Sequence, residues 1–267
     1  MFVEQVIGWI FGACLGACLG SFSNVIAIRW HAESTVFGRS ACPSCKRQIK
    51  ARHLVPIFSW LYLRGHCSNC GKKIHVQYPL VELAGLLLGL IAAIRHEPFS
   101  MYTGPQFWFE LIFSTALLAP LVMDIRWKVL PVEYLGGLSI IAAIINVIGF
   151  GVVTGFGFQT RLASVILGMA FAGLFFAFQV LASRGNWLGI GDIWLGVYMG
   201  AVLGWPLLPI SIYLAYLIGG SVAIGGLLLG SLHRGDRLPF APALVSGMFA
   251  AMWIGPLLYD WILTAWT

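Results

Sequence analysis

Four aspartates occur in the 267 residues, and two of them stand where an ionised side chain is costly. Asp192 closes Gly189-Ile190-Gly191-Asp192 and is followed by the apolar run Ile193-Trp194-Leu195. Asp124 sits in Val122-Met123-Asp124-Ile125-Arg126-Trp127-Lys128-Val129-Leu130-Pro131, where another apolar run ends. Holding a charged carboxylate within a bilayer costs several kcal/mol, so each is a candidate functional group. Two carboxylates a few ångströms apart do not both ionise readily; they share a proton. One then acts as general base on a water while the other, protonated, polarises a carbonyl, which is the chemistry of peptide-bond hydrolysis. Such a pair titrates as a unit, so neither residue is given a fixed role. Gly189 and Gly191 allow backbone conformations and close approaches that a side chain would block. Arg126 and Lys128 are placed to hold a substrate or lipid headgroups, or to anchor Asp124 at a membrane interface without any chemistry.

A second cluster has metal-ligand spacing. Cys42-Pro43-Ser44-Cys45 and Cys67-Ser68-Asn69-Cys70-Gly71 form two C-x2-C knuckles separated by 21 residues. That pattern suits a tetrahedral four-thiolate zinc site, closed and therefore structural. Gly71 and Lys72-Lys73 suit a turn whose backbone amides face sulfur. Two disulfides are the competing reading, disfavoured in a reducing cytoplasm. A loop of about 50 residues buries little core alone, and a metal would add folding energy. His31, His53, His66 and His75 nearby read as surface or packing residues. Cys14 and Cys18, one helical turn apart in the first apolar segment, read as small core residues.

The elements that carry these groups are membrane spans. Hydrophobic residues make up 59% of the chain and charged ones 10%, against about 25% charged in a soluble domain. Mean hydropathy is +0.88. The chain reads as an all-α polytopic membrane protein of about eight transmembrane helices, near 5–28, 79–95, 106–123, 132–150, 161–182, 192–204, 207–231 and 243–264. The flank before the first lacks a basic region, so no cleaved secretory signal is expected. Gly12, Gly16 and Gly20 have the small-residue spacing that lets helix backbones approach. Of the 16 Lys and Arg, nine fall in loop 29–78, and Arg126, Lys128, Arg184, Arg234 and Arg237 fall on the same side. Only Arg95 and Arg161 lie opposite. By the positive-inside rule loop 29–78 is cytoplasmic and both termini are outside. Asp124 then ends an inward-running span and Asp192 opens an outward-running one, so both meet the cytoplasmic boundary. Asp236 falls in the last cytoplasmic loop and Asp260 near the outer end of the last span, and neither has such a counterpart.

An ordered set of motifs resembles the bacterial prepilin peptidases, the type IV leader peptidases, over nearly the whole chain. Gly20-Ser21-Phe22-Ser23-Asn24-Val25 with Arg29 is similar to the family's opening. Arg39-Ser40 with Cys42-Pro43 and Cys45, Pro56 with Ser59-Trp60, and Leu63-Arg64-Gly65 with Cys67 and Cys70 are similar to its cytoplasmic domain. Ile74 and Tyr78-Pro79-Leu80-Val81-Glu82 resemble its entry to the second span. Asp124 with Leu130-Pro131 resembles the first catalytic motif, Gly189-Ile190-Gly191-Asp192 the second, and Leu238-Pro239-Phe240-Ala241-Pro242 a late I-P-F-G-P segment. The family usually has Lys where Trp194 stands, Asp or Asn where Val132 stands, and Pro soon after Arg29, where Trp30-His31 follow.

The resemblance implies a peptidase of the bacterial inner membrane. It would cleave type 4 prepilins or pseudopilins after the Gly that ends a short basic leader, at the cytoplasmic face. Asp124 and Asp192 would be catalytic, supported by Gly189, Gly191, Pro131, Arg126, Lys128, Asn24 and Arg29. It also implies N-methylation of the new amino terminus with S-adenosylmethionine, for which loop 29–78 is the candidate region. Three segments are expected: 1–28, the first span; 29–78, the zinc-binding domain; and 79–267, the peptidase domain. The partners expected are prepilin-type substrates and the lipid bilayer, with no nucleic acid. Two other readings compete. A proton pathway or transporter predicts repeated halves, which the chain lacks. A catalytically silent scaffold of a pilus or secretion apparatus has only Trp194 and Val132 in its favour.

Overall fold

A backbone surrounded by lipid must bond within its own segment, so apolar runs become helices. The computed structural model describes residues 2–152, 157–230 and 239–265, with side chains as far as 255 in the last helix. The helices are α1 (Phe2–His31), α2 (Phe58–Tyr62), α3 (Gln77–Arg95), α4 (Gly104–Ala116), α5 (Leu118–Trp127), α6 (Val132–Ile148), α7 (Phe158–Ala182), α8 (Ile190–Leu203), α9 (Leu207–Leu228) and α10 (Ala241–Ala265), with a 3-10 turn at Ala51–His53. By length and composition five helical stretches can cross a membrane, Gly104–Trp127 counting as one, and the apolar helices at Val132–Ile148, Ile190–Leu203 and Ala241–Gly255 are shorter. Helix therefore stands at every expected span, as two helices, α4 and α5, at the third. Arg234, Asp236, Arg237 and Leu238, and the side chain of Asp260, lie outside the described residues.

The third span differs in detail from the expectation. Its helix begins at Gly104, is interrupted at Leu117 and resumes to Trp127. Asp124 lies in the last turn of α5, and the helix runs on to Trp127. The helix stops where Lys128 takes φ 56° and its N–H closes on the Asp124 carbonyl at 2.9 Å.

The chain divides into two compact units, Met1–Val122 and Met123–Thr267. In the first, α1 packs on α3 along a seam of glycines. A side chain at Gly12 would strike the Gly89 carbonyl, one at Gly16 the Gly85 carbonyl, and one at Gly20 the Val81 carbonyl. Backbones in contact maximise dispersion where no hydrophobic effect draws helices together. Cys14 and Cys18 are exposed, a correction to their reading as core. Two residues from each seam glycine, about 200° round the helix, they point away from α3. Glu82 on α3 ties three elements: its Oε1 accepts from Ser21 of α1 at 2.8 Å, and its Oε2 from the Ile57 N–H at 2.6 Å. Ile57 has φ 64°, a costly conformation for a β-branched residue. At the other end of α3, the buried Glu110 of α4 holds Arg95 at 2.6 Å and His96 at 2.9 Å.

In the second unit α8 packs against α6, α7, α9 and α10. Nine of its 14 residues are buried, and so the helix is apolar nearly all round. Gly200 meets the backbone of Gly168 on α7, and a Cβ at Gly196 would strike Phe176. The buried Asn146 of α6 donates to the Ala201 and Val202 carbonyls at 3.0 and 2.8 Å, satisfying the end of α8. Ser164 of α7 bonds both the N–H and the carbonyl of Trp205, fixing the turn into α9.

The α1–α3 seam makes a testable prediction. Gly16→Leu forces the two backbones apart and should cost about 1–3 kcal/mol, read as a lower unfolding midpoint in detergent. Gly220→Ala, inside α9 where a Cβ meets nothing within 4 Å, should leave the midpoint no lower, or raise it slightly.

Candidate functional site

Asp192 is the third residue of α8, and Gly189 before the helix is extended, with φ −88° and ψ 166°. The Gly189 N–H donates to Asp192 Oδ2 at 2.8 Å, and the Asp192 N–H donates back to the Gly189 carbonyl at 3.1 Å. The carboxylate thereby caps its own helix. Asp124 caps a different one. Its Oδ2 accepts from the N–H of Ala241, the first residue of α10, at 3.2 Å. Both side chains are buried, 7% exposed for Asp124 and 8% for Asp192. The charge of Asp124 acts on Asp192, and that of Lys128 acts on Asp124. The two carboxylates share one neighbourhood, each bonded to an amide at a helix start, where the helix dipole favours an anion.

The two motifs also touch directly. A Cβ on Gly191 would lie 2.5 Å from Leu130 Cβ, so only glycine lets the Leu130-Pro131 segment lie against the start of α8. Gly189 differs from the expectation: a Cβ there would find its nearest neighbour at 3.7 Å, and its φ is ordinary. Its part is the amide given to Asp192. Pro131 stands immediately before α6 with φ −76°. Arg126 and Lys128 are exposed, and the Arg126 guanidinium lies 4.9 Å from the Trp127 ring centre. Trp194 is 38% exposed, and its ring lies against Gly136 of α6.

Asn24 and Arg29 belong to the first unit. The buried Asn24 donates to the Tyr78 carbonyl at 3.4 Å and accepts from Gln77 at 3.2 Å, joining α1 to the start of α3. Arg29 donates to the carbonyls of Thr35, Val36, Gly38 and Arg39, gathering the chain that leaves α1. Two contributors escaped the sequence reading. Ala241 acts through a backbone amide, which has no side-chain signature, although its segment was visible as a motif. Glu82 was visible only as the last residue of a motif; its three-way bonding was not.

The four cysteine sulfurs lie within 4.8 Å of one another, Cys42 and Cys70 at 3.9 Å. Tetrahedral Zn–S bonds of about 2.3 Å put sulfurs about 3.8 Å apart. No disulfide joins the four. Each knuckle is a small hairpin, with bridges Ala41–Gln48 and His66–Lys73. Amides of Cys45 and Ser44 face Cys42 and hold its thiol down at about 6; amides of Asn69 and Cys70 lower Cys67. The Lys72 amide faces Cys70, but burial and the neighbouring sulfurs outweigh it and push that thiol up to about 11. Amides aimed at sulfur, with thiolates too crowded to ionise together, are what a divalent cation would relieve, so the set fits a metal. Trp60 packs on Gly65 and donates to the Ile74 carbonyl at 3.3 Å, bracing the second knuckle. His31, His66 and His75 are exposed and His53 is half-buried, as surface and packing residues should be.

Comparison with known proteins adds an independent line. Residues 14–96 match the family model described as the bacterial peptidase A24 N-terminal domain, and residues 111–224 that of the type IV leader peptidase family. A protein of Aeromonas hydrophila is 34% identical over 231 residues, 85% of this chain and 75% of its own. One of Pectobacterium carotovorum is 30% identical over 292, covering 95% and 97%. One of Bacillus subtilis is 30% identical over 250, covering 92% and 93%. All three bear the name prepilin leader peptidase/N-methyltransferase. No solved structure matches the chain. Matches at this identity, over most of both partners, mean that the chain belongs to the type IV leader peptidase family.

Proposed function

We propose that the chain is a membrane aspartic endopeptidase that removes the leader from type 4 prepilins or pseudopilins, cleaving after Gly, and that it also methylates the new amino terminus. The observation that carries the peptidase reading is two buried carboxylates, Asp124 and Asp192, on two motifs that pack against each other at Leu130 and Gly191. The family membership supports the same reaction, and the names of the relatives support the second activity.

In the reaction one carboxylate takes a proton from a water whose oxygen adds to the scissile carbonyl. The other, protonated, donates to the carbonyl oxygen. Collapse breaks the C–N bond, and the proton passes to the leaving amine. Amides of Gly189 and Ala241 hold the pair's single negative charge without rearranging. Arg126 and Lys128, exposed just past Asp124, are placed for lipid headgroups or substrate. Loop 29–78 and the aspartates are assigned to the cytoplasmic side of a multi-pass inner-membrane protein.

Zinc on Cys42, Cys45, Cys67 and Cys70 would be closed off by four protein ligands and so structural. S-adenosylmethionine would supply the methyl group, with loop 29–78 as the region proposed for it. That loop has no Gly-rich strand-to-helix turn of the kind that cradles a nucleotide, so the donor is assigned to no individual residue.

Four outcomes test this. Purified chain should cleave a prepilin at a Gly-Phe junction, while Asp124→Asn and Asp192→Asn should each lose essentially all activity, at least about a thousandfold, by mass spectrometry. A methyl mass should appear only with S-adenosylmethionine. Cleavage that persists in either variant rejects the mechanism. Gly191→Ala should lose much more activity than Gly189→Ala, because only the former drives a Cβ into Leu130. Metal analysis should find one zinc per chain, and its removal should lower the melting temperature; a Cys42→Ser chain that keeps full zinc would reject the four-thiolate site.

A further inference from the structure

Opening a helix in an apolar medium strips partners from its backbone amides and carbonyls, at several kcal/mol for each group left unpaired. A peptidase that extends its substrate beside buried carboxylates must supply replacements. Several polar side chains of the second unit are engaged by its own backbone: Ser139 bonds the Leu135 carbonyl, Asn146 the end of α8, Ser164 the turn at Trp205, and Ser221 the Leu217 carbonyl.

Tyr216 and Gln179 instead bond each other and are engaged only in part. Tyr216 on α9 donates its hydroxyl to Gln179 Oε1 on α7 at 2.6 Å, and Tyr216 is 39% exposed. Gln179 Nε2 reaches only the Phe175 carbonyl of its own helix, at 3.5 Å, the limit for such a bond. A glutamine amide has two N–H donors, and a phenol oxygen can accept while it donates. The pair therefore keeps one donor and one acceptor unspent. The Tyr216 ring meets Phe240 edge-on at 5.2 Å, and the charge of Asp192 reaches Tyr216. Phe240 immediately precedes the amide that holds Asp124. Phe175 meets the other edge of Tyr216 at 6.2 Å, so the polar pair has aromatic walls.

We infer that Gln179 and Tyr216 form the subsite that binds the extended backbone of the substrate next to the scissile bond. Gln179 Nε2 donates to a substrate carbonyl, and the Tyr216 oxygen accepts a substrate N–H. The mutual Tyr216–Gln179 bond fixes which group of each faces outward. Being directed at backbone, the subsite is indifferent to side-chain identity. It rests on the peptidase reading above.

The test uses the full chain in detergent and a prepilin peptide spanning the Gly-Phe junction, together with analogues in which one amide at a time becomes an ester. An ester keeps the shape and removes the N–H. Tyr216→Phe keeps the ring against Phe240 and Phe175. It should raise KM about fivefold, the worth of a single hydrogen bond, with kcat little changed. One ester analogue should slow the wild type by a similar factor and slow Tyr216→Phe no further. Gln179→Leu should raise KM in the same way. Variants that cleave every substrate as the wild type does, or an ester that slows wild type and Tyr216→Phe equally, would overturn the subsite and leave the peptidase standing. A lower melting temperature with KM unchanged would also overturn it, since the pair would then serve packing alone. Wild type that cleaves nothing, or Asp192→Asn that still cleaves, would overturn the peptidase reading itself and the subsite with it.

Discussion

A buried carboxylate at the start of a buried helix solves two problems that neither could solve alone. The first amides of α8 have no partner within the helix, and lipid offers them none. Asp192 needs donors that an apolar core does not offer. Each supplies what the other lacks through the Gly189 amide. The same exchange recurs at α10, where Asp124 meets the Ala241 amide. Two helix starts thus hold two carboxylates, and the residues around them follow from keeping those starts together.

Length makes the arrangement necessary. A helix of 14 residues is about 21 Å long, short of the roughly 30 Å hydrocarbon core. α8 cannot reach both interfaces, so it needs protein around it rather than lipid. Glycine at positions 196 and 200 brings α7 into contact, and Asn146 closes its far end. A core this tightly packed transmits misplacement. Leu130 over Gly191 is the point where the two aspartate motifs are fixed relative to each other.

The spans were legible because lipid leaves an apolar run only one conformation. The cysteine centre was legible because spacing alone brings four sulfurs together. The glycine face of α1 was visible as a repeat, yet its partner was not. Only the three-dimensional match of Gly12 and Gly16 with Gly85 and Gly89 explains why Cys14 and Cys18 face outward. The amide of Ala241 was illegible for a deeper reason, since a backbone donor is common to every residue but proline. Gln179 and Tyr216, 37 residues apart in the chain, carry no motif at all.

Trp194 and Val132 can now be weighed by position. Trp194 lies two residues beyond Asp192, about 200° round α8, so its side chain leaves the helix opposite the carboxylate. Its ring rests on Gly136 of α6 while more than a third of it stays exposed. An indole suits a membrane boundary as well as a lysine does, through an apolar body with one polar edge. Val132 is the first residue of α6, one past the cap position held by Pro131, where an acidic side chain would favour the helix dipole and valine does not. A charge in the first turn is worth about 0.3–1 kcal/mol, a loss the apolar packing of α6 can absorb. The bonds that hold Asp192 and Asp124 here come from the backbone amides of Gly189 and Ala241, so neither departure falls on them.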